Sequence, residues 1–138
     1  MTTPRLTKYI PTTPTVKQAA FLLLENRDAF FGGAAGGGKS EALLMAALQY
    51  VDMPNYNALI VRRTFRDLNQ PQAIMSRARE WLLNTDARWN GNDKRWTFPS
   101  GATLTFGYLE KKWAHLQYQG AEFQFVGFDE LTQFEDFQ

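Results

Sequence analysis

The stretch AFFGGAAGGGKSEALLMAALQYV, residues Ala29–Val51, governs the interpretation of this sequence. It opens with a short apolar run, Ala29–Phe31, continues through the glycine-rich Gly32–Gly38, and ends in Lys39–Val51, which is dense in alanine, leucine and methionine. This order predicts a strand, a loop and a helix. Apolar residues lie on nearly every side of the predicted helix, so we expect it to be packed between other elements.

The loop in this stretch fits the GxxxxGK(S/T) pattern over Gly33–Ser40, in the strand-to-helix setting that the pattern requires. Glycines let successive backbone N–H groups turn toward phosphate oxygens, and the helix start adds unpaired N–H donors. The Ser40 hydroxyl is placed to ligate a magnesium ion bridging two phosphates. A glycine-rich turn that only joins strand to helix is the alternative. The predicted phosphate and nucleotide contacts are Gly33, Gly36, Gly37, Gly38, Lys39 and Ser40.

Composition limits the remaining possibilities. The chain has 138 residues, 44% of them apolar, a formal net charge of +1 and no cysteine. This length suits one domain, and the lack of cysteine excludes disulfide scaffolds and thiolate metal sites. Its apolar runs are shorter than the ~18 residues that a membrane span needs. A net charge near zero gives no sign of a nucleic-acid partner.

Helical and strand patterns flank the glycine-rich stretch. Met1–Pro14 contains three prolines and five threonines, which predicts an extended arm with little packing. The apolar spacing from Val16 to Leu24 predicts a helix that Thr15 can cap. After the glycine-rich stretch, we expect a buried strand at Ala58–Val61 and a helix from Pro71 to about Asn84.

The last third of the chain predicts mostly β-structure. Trp89–Asp93 has the composition of a polar turn, while Arg95–Phe98 and Thr103–Tyr108 flank a Pro-Ser-Gly turn and predict a β-hairpin that decorates the sheet. Phe123–Phe128 predicts the last strand, and a further helical pattern begins at Leu131. The fold class that follows is α/β, a P-loop NTPase with three α/β/α layers and a mainly parallel sheet carrying an inserted β-hairpin.

An acidic pair follows the predicted last strand. Asp129 and Glu130 come directly after the apolar residues Phe125–Phe128. Ligands of parallel sheets bind beyond the carboxyl ends of the strands, so a last strand next to the first would bring Asp129 beside Ser40. Asp129 would then ligate the metal, and Glu130 would polarise the attacking water. The alternative is that both residues only cap the helix that starts at Leu131.

Three segments together resemble a known family. They are FGGAAGGGKSEALLMAALQ at Phe31–Gln49, ALIVRRTF at Ala58–Phe65, and YQGAEFQFVGFDELTQF at Tyr118–Phe134. In sequence, order and spacing they are similar to the ATPase domain of the large terminase subunit of tailed bacteriophages. The resemblance implies a motor that uses ATP and Mg²⁺ to move double-stranded DNA into a capsid in the host cytoplasm. It also implies a homo-oligomeric ring, with the portal protein and a small terminase subunit as partners, and no membrane.

The resemblance carries specific roles to matching residues. It implies that Lys39 and Ser40 contact phosphate and magnesium, that Asp129 is the Walker B carboxylate and metal ligand, and that Glu130 is the catalytic glutamate. Gln18, in PTVKQAAFL, looks like the family's upstream glutamine that reads the adenine edge, a role suited to an amide because it both donates and accepts. A solvent-facing position on the helix is the alternative for Gln18.

One departure from the family concerns arginine. Many members carry an arginine in the variable part of the loop, where this chain has alanine and glycine at residues 34–37. Another arginine must then offset the transition-state charge, because an arginine finger is worth orders of magnitude in rate. Arg62, Arg63 and Arg66 are the candidates, and the sequence favours none of them.

The resemblance also predicts how much of the family's ATPase domain this sequence covers. It identifies residues 15–138 as the N-terminal portion of the ATPase domain, with the family's nuclease domain absent, so we expect an incomplete domain with weak or no turnover by itself. Two other functions stay open at this point. One is a helicase-like or other DNA-dependent P-loop ATPase, and the other is a non-catalytic fragment that binds nucleotide or partner proteins.

Overall fold

The computed structural model describes residues 4–23, 37–62, 74–108 and 123–128. Within these ranges the chain forms three helices and five strands. They are α1 (Val16–Leu22), α2 (Gly37–Leu48), β1 (Asn57–Arg62), α3 (Ile74–Leu82), β2 (Arg88–Asn90), β3 (Arg95–Thr97), β4 (Thr103–Tyr108) and β5 (Phe125–Phe128). The strand predicted at Ala29–Phe31 and the helix predicted from Leu131 lie outside the described residues.

The five strands form one mixed sheet in the order β2-β3-β4-β1-β5. Strand β1 pairs in parallel with both β4 and β5, so that Ile60 has Phe106 on one side and Gly127 on the other. Strands β2, β3 and β4 pair antiparallel. The sheet is thus parallel at one side and antiparallel at the other, which confirms the α/β class.

The hairpin is present, but its place in the sheet differs from the prediction. Phe98 donates its backbone N–H to the Ala102 carbonyl at 2.9 Å, and Gly101 adopts a φ of 97°, which favours glycine. The sequence predicts a hairpin that decorates the parallel sheet, and in the structure its strand β4 is a full member of that sheet, hydrogen-bonded directly to β1. Sequence patterns cannot show which strands pair when they are distant along the chain.

The polar turn predicted at Trp89–Asp93 is partly a strand. Trp89 lies opposite Trp96 in the β2–β3 ladder, with ring centroids 5.2 Å apart. Such cross-strand aromatic pairs stabilise antiparallel sheets. The pairing extends β2 to Asn90, and the turn follows it, with Lys94 at a φ of 53°. The sequence prediction weighed the turn-forming residues and missed this aromatic pair.

Helix α1 begins as predicted and carries a complete capping box. The Thr15 hydroxyl accepts from the Gln18 backbone N–H at 3.1 Å, and the Gln18 Oε1 accepts from the Thr15 backbone N–H at 2.9 Å. Two of the otherwise unpaired donors at the helix start are satisfied in this way. The helix ends at Leu22, two residues before the predicted end.

Helix α2 is the centre of the core, as its apolar composition predicted. Its buried side chains belong to one cluster with residues from β1, β3, β4 and β5. Leu59 and Val61, on the opposite face of β1, are also buried. Burial on both faces is typical of a parallel strand. Helices α1 and α3 each contact α2, and a second helical layer stays a prediction. The buried α2 residues are Ala42, Leu44, Met45, Ala46, Ala47 and Leu48.

The expectation that the N-terminal arm packs little is wrong for residues 5–10. Tyr9 and Ile10 are buried in the core cluster. The Thr7 hydroxyl donates to the Leu48 carbonyl at 2.9 Å, and the Arg5 guanidinium donates to the Gln49 carbonyl and pairs with Asp52. These bonds satisfy carbonyls at the C-terminus of α2 that have no partner within the helix. Residues 4–14 form no helix or strand, yet part of this segment is fixed to the domain.

Asp86 holds the arm at a second point. Lys8 Nζ lies 2.8 Å from Asp86 Oδ2, and the Tyr9 hydroxyl donates to Asp86 Oδ1 at 2.6 Å. The Lys8 contact, followed by the Tyr9 hydrogen bond, lowers the pKa of Asp86. Burial, followed by the bond to Asp86, raises the pKa of Tyr9. The folded state therefore favours ionised Asp86 and neutral Tyr9.

We expect this contact to make stability depend on pH. A lowered pKa in the folded state stabilises the protein above the ordinary aspartate pKa of about 4, and this stabilisation is lost as the pH falls through the lowered value. At pH 7, Asp86→Asn should unfold at a lower urea concentration than wild type. At pH 3 the difference between the two urea midpoints should be smaller. Asp93→Asn is the control, because Asp93 is exposed and its ion pair is weak. Its Oδ2 lies 4.0 Å from Arg95 Nη1. If the urea midpoints of wild type and Asp86→Asn differed by the same amount at both pH values, the stabilising role of ionised Asp86 would be contradicted.

Candidate functional site

The direction of α2 decides where its first residues lie. At its C-terminal end, the Ala47 carbonyl accepts from the Tyr56 hydroxyl at 2.9 Å, and the Val51 carbonyl just beyond the helix accepts from the Ser100 hydroxyl at 2.7 Å. Tyr56 immediately precedes β1, and Ser100 lies shortly before β4. The C-terminus of α2 therefore lies at the amino ends of these strands. The helix runs antiparallel to them, and its first turn lies toward their carboxyl ends.

A close contact fixes α2 against β5. A Cβ built on Gly127 would lie 2.7 Å from Leu43 Cδ1 and 3.0 Å from the Phe125 ring. Real Cβ atoms essentially never approach so closely, so the absence of a side chain at Gly127 lets α2 lie near the strand. Gly127 is the third residue of β5, and Leu43 belongs to the second turn of α2. The contact thus joins the early part of α2 to the late part of β5.

The first turn of α2 contains the end of the glycine-rich pattern. The helix begins at Gly37, two residues before the predicted start, so Gly37, Gly38, Lys39 and Ser40 all have helical backbone. The first N–H groups of a helix have no partner within it, and the dipole makes this end positive. No acidic side chain lies in this first turn. Ser40 is half-buried there.

Gln18 does not face solvent, and that alternative is wrong. The residue is 2% exposed and lies between α1 and α2. Its Oε1 completes the capping box with Thr15, and its Nε2 donates to Glu41 Oε1 at 3.4 Å. An amide provides both donors and acceptors, and here each kind of group has a partner. Gln18 is thus held beside the first turns of α2.

An ion pair that the sequence analysis missed lies next to Ser40. Glu41 Oε2 is 3.0 Å from Arg77 Nη1 of α3, and these side chains are 27% and 31% exposed. With Gln18 on its other oxygen, the Glu41 carboxylate joins all three described helices. One sign of a role for Glu41 was available in the sequence, its position directly after Ser40. Nothing in the pattern showed that Arg77, 36 residues away, would be its partner.

Several predicted site residues lie outside the described part of the chain. The structure describes the backbone, but not the side chains, of Lys39 and Arg62. Arg62 is the last residue of β1 and is therefore at its carboxyl end. Their roles stay predictions. The residues outside the described ranges are Gly33, Gly36, Arg63, Arg66, Asp129 and Glu130.

A family model matches most of the chain. Residues 30–138 match the family described as the terminase large subunit, T4-like virus type, N-terminal. The chain belongs to this terminase large subunit family. No curated protein and no solved structure matches the chain. The resemblance carried by the three quoted segments is thereby confirmed.

Membership of the terminase family gives the protein a role in bacteriophage DNA packaging. Terminase large subunits are generally ATPases, and their partners include DNA and other components of phage packaging. In the part of this terminase that the structure describes, no helix combines the length and apolar character that a bilayer crossing requires.

The Leu43–Gly127 contact yields a prediction for the terminase. Gly127→Val should lower the free energy of unfolding by about 1–3 kcal/mol, because the added atoms must displace Leu43 and the Phe125 ring. Val126→Thr is the control, since Val126 lies on the opposite face of β5 and is 40% exposed. We expect its effect to stay within about 0.5 kcal/mol. Urea denaturation measures both, and equal stability of the two variants would contradict the tight packing.

Proposed function

We propose that this terminase region binds ATP with Mg²⁺ and hydrolyses it to drive double-stranded DNA into a phage capsid. The observation that carries the proposal is the direction of α2. Its first turn, with Gly37, Gly38, Lys39 and Ser40, lies toward the carboxyl ends of β1 and β4. Ligands of parallel sheets bind at that edge, and a helix N-terminus there favours an anion.

The phosphates would be held mainly by backbone N–H groups. Gly33 and Gly36 contribute the loop, while Gly37 and Gly38 contribute the helix start. Glycine suits these positions because a side chain would keep the backbone from phosphate oxygens. Lys39 adds a compact positive charge toward the terminal phosphates. The absence of acidic side chains in the first turn of α2 is compatible with this role.

Ser40 and Asp129 would ligate the metal. A hydroxyl and a carboxylate are oxygen donors of the type that Mg²⁺ prefers. A magnesium ion held by these residues would offset the charge of the phosphates. The contact between Leu43 and Gly127 supports this pairing. Ser40 precedes Leu43 by nearly one turn toward the carboxyl edge, and we expect Asp129, two positions after Gly127, to lie in the same direction.

Glu130 would be the catalytic base. It would accept a proton from the attacking water while the phosphate contacts hold the γ-phosphate in line. The arginine that offsets transition-state charge stays open among Arg62, Arg63 and Arg66. Arg62 is at the carboxyl end of β1, on the edge proposed for the site.

Gln18 would contribute to the base pocket. Its amide lies beside Glu41, one residue after Ser40, so it is close to the helix turn proposed to bind phosphate. An adenine edge offers a donor beside an acceptor, which a side-chain amide can match.

Family membership supports the wider assignment. A packaging motor requires double-stranded DNA, the portal of a capsid and a homo-oligomeric ring, and we propose these together with the small terminase subunit as partners. The work would take place in the host cytoplasm. No feature of the described residues favours a helicase-like ATPase, and binding without turnover is an outcome that the following experiment separates.

Two substitutions in the intact protein test the proposed ATPase. Lys39→Ala should abolish binding of a fluorescent ATP analogue in the presence of Mg²⁺, because the site loses its charge toward the phosphates. Glu130→Gln should keep that binding and lower phosphate release by about 100-fold or more, since it removes the base.

Arg79→Gln is the control for a lost positive charge, because Arg79 is exposed on α3. It should match wild type in binding and release. Unchanged nucleotide binding by Lys39→Ala would contradict the phosphate site. Phosphate release from Glu130→Gln at the wild-type rate would contradict the assignment of Glu130 as the catalytic base. If the wild-type protein bound nucleotide without releasing phosphate, the non-catalytic alternative would be favoured.

A further inference from the structure

We propose that Arg77 acts on the phosphate site through Glu41, by offsetting the charge of a carboxylate that would otherwise repel an anion at the first turn of α2. The inference rests on the proposed function, since it concerns the affinity of that turn for phosphates. Neither Glu41 nor Arg77 belongs to the pattern that predicted the site. Arg77 would act without contacting the ligand.

The position of Glu41 brings its negative charge close to the first turn of α2. Glu41 is the only acidic residue of this helix, and it directly follows Ser40. Side chains of a helix tilt toward its N-terminus and cover the residues three and four positions earlier. For Glu41 these residues are Gly38 and Gly37, which belong to the first turn. The carboxylate is therefore directed toward the N–H groups proposed to bind phosphate.

Two contacts hold the Glu41 carboxylate at this place. Its Oε1 accepts from Gln18 Nε2 of α1 at 3.4 Å, and its Oε2 accepts from Arg77 Nη1 of α3 at 3.0 Å. The Gln18 amide is neutral, so of these two partners only Arg77 can offset the charge. The effect of Glu41 on its surroundings thus depends on whether Arg77 is present.

An unpaired carboxylate here would oppose phosphate binding. The first turn is the positive end of the helix dipole, which attracts the Glu41 carboxylate as well as a phosphate. Two anions at the same end repel each other, and more strongly where the surroundings exclude water. The side chains of Glu41 and Arg77 are 27% and 31% exposed, so solvent screens them less than fully exposed charges. With Arg77 in place the pair is neutral overall, and the positive end of α2 stays available to a ligand.

The contacts of Arg77 suit this role. Its Nη1 binds Glu41, whereas its Nε is buried without a hydrogen-bond partner in the described residues. A hydrogen bond between two charged groups is stronger than a neutral one, so the Glu41 carboxylate determines where the guanidinium lies. Arg77 therefore acts on the carboxylate and not on a bound phosphate.

The experiment measures binding of Mg²⁺ with inorganic tripolyphosphate to the intact protein by calorimetry. Tripolyphosphate has no base, so its affinity depends on the phosphate contacts alone. Arg77→Gln should weaken binding by roughly five- to tenfold, because Glu41 keeps its charge and loses the cation that offsets it. Glu41→Gln should bind at least as tightly as wild type. The double variant Glu41→Gln with Arg77→Gln should bind within about twofold of wild type, since neither charge of the pair remains.

This order of affinities separates a charge effect from a structural one. A purely structural role would weaken binding in all three variants, because each of them breaks the ion pair. A charge effect weakens it in Arg77→Gln alone. That loss should shrink when the salt concentration rises from about 0.05 M to about 0.5 M, because salt screens charges.

Two further substitutions of α3 are the controls. Arg77→Lys keeps the charge and should retain most of the affinity. Arg79→Gln removes a positive charge from an exposed position two residues along the helix, on its other side, and should match wild type.

Three results would overturn the inference. One is weaker binding by Glu41→Gln than by wild type, which decides the matter even if Arg77→Gln does not fold. Another is unchanged binding by a folded Arg77→Gln protein. The third is a double variant that binds as weakly as Arg77→Gln, which would indicate direct contact between Arg77 and phosphate.

The wild-type measurement keeps this inference distinct from the proposed function. A wild-type protein that does not bind tripolyphosphate contradicts the phosphate site, and the role of Arg77 falls with it. A wild-type protein that binds tripolyphosphate, with variants in any of the three contrary patterns, overturns the role of Arg77 and leaves the phosphate site standing.

Discussion

The antiparallel packing of α2 against the sheet is the contact on which the other features depend. Leu43 occupies the space that a side chain on Gly127 would need, and most of the helix is buried against β1, β4 and β5. This packing decides which end of the sheet receives the first turn of α2. If the helix ran the other way, its glycines and Ser40 would lie at the amino ends of the strands, away from the end of β5. The chemistry proposed for the site therefore depends on core packing as much as on the polar residues.

Local features of the fold could be predicted from the sequence because they depend on near neighbours. The periodicity of α1, the apolar composition of α2 and the alternation in the hairpin each reflect interactions within a few residues. The pairing of β4 with β1 and the docking of the arm could not be predicted in this way. Tyr9 meets a partner 77 residues along the chain, and Arg5 meets one 44 residues away. Prolines and threonines in the arm indicated the lack of helix and strand, but not these contacts.

The candidate site also has parts that could be predicted from the sequence and parts that could not. Its phosphate side could be predicted because the glycine, lysine and serine positions are consecutive in the sequence and each has a physical reason. The surroundings of Gln18 could not, since its burial depends on how α1 meets α2. The link from Glu41 to Arg77 joins residues on different helices, and ordinary charged residues carry no local mark of their partners. Sequence reasoning thus proposed residues that bind phosphate and missed the contact between Glu41 and Arg77 beside them.

The bonds at the far end of α2 have a mechanical consequence. Thr7 and Arg5 bind the carbonyls of Leu48 and Gln49, and Tyr56 binds that of Ala47. The helix has 12 residues, so it is a stiff rod of about 18 Å. These bonds hold one end of the rod, and the contact of Leu43 with Gly127 holds it nearer the other end. Because α2 is fastened along its length, a push at Ser40 would be passed to β5 and the arm together.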